Sequence, residues 1–188
     1  MYSKSMLCAV IALIGLGSSA GAQESSSGPH GAPSITFQHL PGADDMPAAV
    51  ASPHATDRYL FVPAAAFVRR SNADSLVNTG NGCIYTNGWV LNADLQLPAG
   101  ALVHGVRVYY HVPGATGSVT TWLTRYDGAG TFADLMGPVT TNTGGYYSQY
   151  FALTPEETID PFTYSYALNP HMEGTDVKVC GVRVFYAY

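Results

Sequence analysis

The chain has 188 residues, a formal net charge of −5 and only 11% charged residues, set against 13 tyrosines and 20 glycines. Its eight Lys and Arg residues form no cluster able to release counterions from a phosphate backbone, which argues against a nucleic-acid partner. Little charge with many aromatics and glycines suits an extracellular all-β domain better than a helical one.

The chain opens on Met1-Tyr-Ser-Lys4, followed by an apolar run from Met6 to Leu16 and small residues ending Ala20-Gly-Ala22. A basic start, a short apolar core and an A-x-A site describe a secretory signal peptide over residues 1–22. The run falls short of the roughly 20 residues that a membrane-spanning helix needs, so no membrane span is expected. Cys8 sits at the start of the run, where the acceptor cysteine of a lipoprotein does not belong. A secreted or periplasmic location follows.

Residues 23–56 are rich in Ser, Gly, Pro and Asp, with little to build a core from, and read as a flexible leader. Within it, Ser34-Ile-Thr-Phe-Gln-His39 has the makings of a short edge strand. His30, His39 and His54 are too scattered for a compact ligand motif. A domain over residues 57–188 comes next. Tyr59–Val62 followed by Pro63 reads as an extended segment at a sheet edge. Cys83-Ile-Tyr85 and Trp89-Val-Leu91 flank Asn87-Gly88, a strong hairpin signal.

Leu102 onward brings His104-Gly-Val-Arg-Val-Tyr-Tyr110, repeated as Cys180-Gly-Val-Arg-Val-Phe-Tyr186. Val106, Val108 and Tyr110 share one face, matched by Val182, Val184 and Tyr186; Arg107 and Arg183 fall on the other. Period-two alternation of this kind predicts two half-buried core strands, each with an arginine on its outer face. The equivalence reflects either an old duplication or two strands meeting one demand. Between the copies, Ser118–Tyr126 alternates, Asp127-Gly128 makes a turn, and Tyr146–Leu153 places tyrosines on both faces. Phe162, Tyr164, Tyr166 and Leu168 form a stripe that Asn169-Pro170 is expected to close. Thr154-x-x-Glu157 matches a capping box, but Pro161 allows at most one helical turn. About eight short strands separated by Gly/Pro/Asn turns predict an all-β, antiparallel β-sandwich or jelly roll.

Once Cys8 leaves with the signal, Cys83 and Cys180 remain, and pairing is the simplest outcome for an exported chain. The loop so closed, about 100 residues, corresponds to roughly 4–5 kcal/mol in the chain-entropy model. Two free thiols or half of a metal site are the alternatives.

Phe61-Val-Pro-Ala-Ala-Ala-Phe67, Gly82-Cys-Ile-Tyr85, Leu97-Pro-Ala-Gly-Ala101, Val106-Arg-Val-Tyr-Tyr110, Leu123-Thr-Arg-Tyr-Asp127 and Cys180-Gly-Val-Arg-Val184 resemble the landmarks of an uncharacterised group of exported bacterial proteins. The resemblance covers Tyr59 to Tyr188 and implies a compact secreted β domain. It supplies no catalytic residue.

Gly17-Ser-Ser-Ala-Gly21 fits the G-x-S-x-G nucleophile pattern, but lies in the signal peptide rather than on a strand-to-helix elbow. His104 and His111 would face opposite sides of one regular strand and could not share an ion. A hydrogen-bonded histidine near the core is the simpler role for His104. Glu156 and Glu157 would point apart, as would Asp44 and Asp45. Asp94, Asp127, Asp134 and Asp160 are single loop or strand-end candidates, and the turn before Gly128 explains Asp127. A calcium site at Asp127 and Asp134 lacks the acidic triplet of an EF-hand loop. No cofactor and no metal are expected.

The aromatics carry the remaining signal. Trp89, Trp122, Tyr126, Tyr146 and Tyr150 could stack on sugar rings, although most tyrosines in such a domain serve the core or cross-strand pairs. Trp122 alternates with Thr120 and Thr124, opposite Val119 and Leu123, so it should point outward with Tyr126 beside it. The expectation is a non-catalytic β-sandwich used for binding or as an envelope component, with a glycan or cell-surface component as partner. A small secreted hydrolase of polysaccharide or peptide is the first alternative, and a self-assembling homo-oligomer the second.

Overall fold

The computed structural model describes residues 57–72, 75–86 and 90–188, together with the backbone of residues 38–39. The expected signal peptide, most of the leader, Asn87, Gly88 and Trp89 lie outside the described residues. In chain order the strands are β1 (Gln38–His39), β2 (Asp57–Pro63), β3 (Val68–Arg69), β4 (Leu76–Asn78), β5 (Ile84–Thr86), β6 (Leu91–Asp94), β7 (Leu102–Val112), β8 (Ser118–Asp127), β9 (Phe132–Met136), β10 (Gly145–Thr158), β11 (Tyr164–Glu173) and β12 (Lys178–Ala187). They form two sheets. The larger runs β1-β10-β7-β12-β5-β4 with β2 also on β12, and the smaller runs β3-β6-β11-β8-β9. The β-sandwich is as expected. The strand number exceeds the expectation because pieces as short as β1 and β3 cannot register as a periodicity.

The core lies between the sheets. Val106, Val108 and Tyr110 of β7, Val182 and Val184 of β12, Val119 and Leu123 of β8 and Leu168 of β11 all have 0% exposure. Each such aliphatic side chain contributes about 1.5–3 kcal/mol by leaving water. Burial of alternate residues on these long strands is what fixes their register.

The two copies of the repeat are neighbours. β7 and β12 pair antiparallel, with Val106 opposite Val184, Val108 opposite Val182 and Arg107 opposite Arg183. Each copy starts with a bulge: the pairing skips His104 on β7 and Cys180 on β12. A bulge inserts one residue and reverses the in–out phase. His104 therefore leaves the Val106 face, contrary to the regular-strand expectation, and Val103 takes the inward place at 0% exposure. The same phase change removes the premise that His104 and His111 face opposite ways. They sit at opposite ends of β7 instead.

Four further expectations are corrected. Arg107 has the predicted parity but is only 5% exposed, between Tyr150 on β10 and Arg183 on β12. β5 and β6 form no hairpin: β5 pairs with β4 and β12 in one sheet, and β6 with β3 and β11 in the other. Their buried residues, Ile84 and Leu91, approach the core from opposite sheets. β11 begins after Phe162, which is 93% exposed, and continues through Pro170 to Glu173. Pro170 falls between the last β6 partner, Leu168, and an isolated bridge at His171, where no ladder donor is needed. Thr154 to Glu157 belongs to an irregular stretch of β10 and not to a helical turn.

Cys83 and Cys180 are disulfide-bonded across a sequence separation of 97. The bond ties the chain entering β5 to the bulge of β12, closing β5 through the start of β12 into one loop and leaving β2, β3 and β4 outside it. At the sheet edge, the backbone of β1 pairs in parallel with β10, an edge strand as expected.

Candidate functional site

On the outer face of the larger sheet the aromatics face one another. Tyr150 meets Phe185 edge-on with ring centroids 5.5 Å apart, and Phe61 meets Tyr109 at 5.6 Å. The Arg183 guanidinium lies 4.5 Å from the Tyr59 ring and 5.6 Å from that of Tyr109. Stacking of this kind offsets the cost of setting Arg107 and Arg183, two like charges, directly opposite each other. Tyr150 donates to the His104 carbonyl at 3.4 Å, while burial, and then the Glu156 carboxylate, push its phenol pKa up. Tyr146 stacks on His111 at 4.4 Å and accepts a hydrogen bond from Asn81 Nδ2 at 3.1 Å. Both tyrosines are thus engaged inside the fold.

The smaller sheet differs. Its outer face holds a hollow of about 260 Å³ lined by Arg70, Val90, Trp122, Thr124, Tyr126, Phe132, Asp134 and Asn169. β8 supplies Trp122, Thr124 and Tyr126 from alternate positions, as the parity predicted. β9 pairs Phe132 with Tyr126 and Asp134 with Thr124. β11 places Asn169 opposite Trp122. Trp122 and Tyr126 are half-buried, whereas Phe132 is 61% exposed at the rim.

Beneath the rings runs a polar relay. Thr124 Oγ1 donates to Asp134 Oδ1 at 2.6 Å, and Asn169 Nδ2 donates to Thr124 Oγ1 at 2.8 Å and to the Tyr126 hydroxyl at 3.3 Å. Asp134, as a carboxylate, only accepts, so Thr124 must spend its proton there and accept from Asn169. That order fixes the amide of Asn169, whose Oδ1 is turned away from these partners. Asn169 is 2% exposed, and its Oδ1 meets no donor among the described residues. Leaving such a group unmatched costs about 1–3 kcal/mol; Thr121 Oγ1 and Arg183 Nε are likewise buried without a hydrogen-bond partner among the described residues.

Gly137 holds Trp122 in place. A Cβ on Gly137 would lie 2.6 Å from Trp122 Cδ1 and Nε1, so the five-membered edge of the indole rests on glycine backbone. The backbone of Gly137 is not left-handed; the ring is the reason for the missing side chain. On another side, His171 lies 6.2 Å from the indole, centroid to centroid.

The carboxylates do not converge here. Asp134 is the only one lining the hollow among the described residues, whereas glycoside hydrolysis needs two about 5–9.5 Å apart. Glu156 accepts from His104 Nδ1 at 2.6 Å, and Glu157 takes Arg125 at 3.0 Å and the Tyr166 hydroxyl at 3.3 Å. Asp127 accepts from the backbone N–H of Ala129 and Thr131, and Asp160 from those of Phe162 and Thr163. Hydrogen bonding from Thr131 and from Thr163, respectively, holds both carboxyls below their ordinary range. These are turn roles, as expected for Asp127. Among the described residues no group of three His, Cys, Asp or Glu side chains could hold a metal ion, and no helix is long and apolar enough to cross a membrane.

Of the five aromatic candidates, the structure brings Trp122 and Tyr126 together. It places Tyr146 and Tyr150 on the other sheet, and Trp89 lies outside the described residues next to Val90 of the hollow. Arg70, Thr124, Phe132 and Asn169 were missed as site residues, and Asp134 was seen only as a lone carboxylate. The available signal was the stripe Ser165, Ala167, Asn169 and His171, which alternates with Tyr164, Tyr166 and Leu168.

No protein-family model matches the chain, and no curated protein does. Among solved structures it is similar to a family 6 carbohydrate-binding module at 14% identity, covering 65% of this chain and 90% of that one, with a TM-score of 0.44. It is also similar to the C-terminal family 6 module of a marine laminarinase from Zobellia galactanivorans, at 15% identity over 68% and 98% of the two chains, TM-score 0.42. VP2 of infectious bursal disease virus matches at 13% identity, over 69% of this chain and 31% of that one, TM-score 0.39. Likenesses this distant say nothing of the ligand.

Proposed function

We propose that this chain is a secreted, non-catalytic β-sandwich that binds a glycan in the hollow of its smaller sheet. The observation that carries the reading is the buried, unmatched Asn169 Oδ1 beneath Trp122 and Tyr126. Sugars present both faces that such a site requires: C–H groups that pack on aromatic rings and hydroxyls that donate to acceptors. Export fits the Cys83–Cys180 bond, since disulfides persist in oxidising compartments, and the segment 1–22 would direct it. That Asp134 is the only carboxylate lining the hollow among the described residues weighs against the hydrolase alternative. The oligomer alternative has Tyr59 and Phe61 in its favour, 60% and 42% exposed on β2, and a solution mass measurement decides it.

The test is a glycan array probed with the labelled protein, followed by calorimetric titration of the best binder. Trp122→Ala should weaken binding roughly five- to a hundredfold, on the scale of about 1–3 kcal/mol for one aromatic stacking contact, with the circular dichroism spectrum unchanged. An array without binders, or an affinity indifferent to Trp122, would refute the reading.

A further inference from the structure

We infer that the hollow selects a neutral sugar, held as a single ring that donates hydroxyl protons to Asn169 and Asp134, and that it discriminates against acidic and amino sugars. This rests on the glycan-binding reading and adds the ligand's size and charge to it. Size comes first. At about 260 Å³ the hollow is below the roughly 300–1,000 Å³ typical of sites for drug-sized ligands, so one ring fits within it and any further rings would lie on its open side.

Direction of hydrogen bonding comes next. The relay from Asn169 through Thr124 to Asp134 runs one way, because its end accepts only. What it leaves for a ligand are acceptors: Asn169 Oδ1, and Asp134 Oδ2, which takes no proton from Thr124. The two acceptors lie on β11 and β9, on either side of β8, and call for two donors on one ligand, which the hydroxyls of one sugar ring provide.

Charge decides between kinds of sugar. Among the described residues the lining has two charged side chains, Asp134 and Arg70, of opposite sign. A uronic acid attracted to Arg70 would also meet the Asp134 carboxylate, and an amino sugar attracted to Asp134 would meet Arg70. A neutral ring meets neither penalty, and Arg70 can still donate to its oxygens. Both charged groups are exposed, so solvent tempers the discrimination without removing it.

The experiment titrates the full chain with three probes, the methyl glycosides of glucose, glucuronic acid and glucosamine, and follows backbone amide shifts by NMR up to high millimolar concentration. The glucoside should bind on the order of tenfold more tightly than either charged probe and shift amides of β8, β9 and β11. Asp134→Asn keeps an acceptor for Thr124 while removing the charge. It should raise glucuronide affinity relative to glucoside by on the order of tenfold, the size of one screened charge at short range. A wild-type protein that binds glucuronide or glucosaminide as tightly as glucoside overturns this inference and leaves glycan binding standing. A relative glucuronide affinity unmoved by Asp134→Asn does the same. If no probe shifts the amides of these strands, this inference falls, while the glycan-binding reading is decided separately by the array.

Discussion

On the outer face of the larger sheet, Tyr59, Phe61, Tyr109, Tyr150 and Phe185 pack against one another and around Arg183, with Arg107 buried among them. On the smaller sheet, Trp122, Tyr126 and Phe132 stand around a hollow with a fixed polar floor. Residue types are similar on the two faces, yet their partners differ. On the first, the rings pack on one another and on Arg183, although Tyr59 and Phe61 stay exposed and Arg183 Nε is buried without a hydrogen-bond partner among the described residues. On the second, half-buried rings and an unmatched carbonyl line a hollow. Aromatic abundance is therefore a poor guide to a site, and so is an unmatched buried polar atom alone, since both faces have one; the better guide is where the two meet in a hollow.

If this division holds, changes around the larger sheet should cost stability and spare binding. Cys180→Ser should have the largest effect, removing roughly 4–5 kcal/mol through the loss of a closure of about 100 residues. Denaturant melts would show it, and glycan affinity per folded molecule should be unchanged. A Cys180→Ser protein as stable as the wild type would break the comparison from that side.

Gly137→Ala should do the reverse. The new methyl group would displace the Trp122 indole, lowering affinity several-fold and shifting tryptophan fluorescence, while Gly128→Ala, whose Cβ meets nothing within 4 Å, should alter neither. Equal effects of the two substitutions would show that Gly137 does not position the ring.

How far the sequence showed this contrast depended on the length of the pattern. Val106, Val108 and Tyr110, with their copies on β12, were legible because alternation persisted over a whole strand. The parity that turned Trp122 and Tyr126 outward was legible for the same reason. His104 was not, because a bulge adds one residue without any compositional mark. Asn169 was misread through its neighbour: Pro170 suggested a strand end, hiding a polar residue in mid-strand. The burial of Arg107, and the engagement of Tyr146 and Tyr150, depend on strands distant in sequence, which local periodicity does not report.

The smallest effects concern pH. Tyr110, Tyr150 and Tyr166 have pKa values raised chiefly by burial. A folded pKa above the unfolded one means stability that is full below the ordinary tyrosine range and lost as pH rises through the folded values. Asp127 and Asp160 are lowered, so their contribution is present above the ordinary carboxylate range and lost as pH falls through the folded values. Thermal melts should therefore decline at both ends. Tyr150→Phe should flatten the alkaline limb, and Asp127→Asn the acid limb; an unaltered limb in either case would contradict the assignment.

The most direct test is one calorimetric series with the best array binder, comparing wild type, Trp122→Ala and Tyr150→Ala at matched folded concentration. The smaller-sheet site predicts a five- to hundredfold loss for Trp122→Ala, from about 1–3 kcal/mol of stacking, and near-wild-type affinity for Tyr150→Ala. The opposite ranking, with Tyr150 required and Trp122 dispensable, would place binding on the larger sheet and contradict the account.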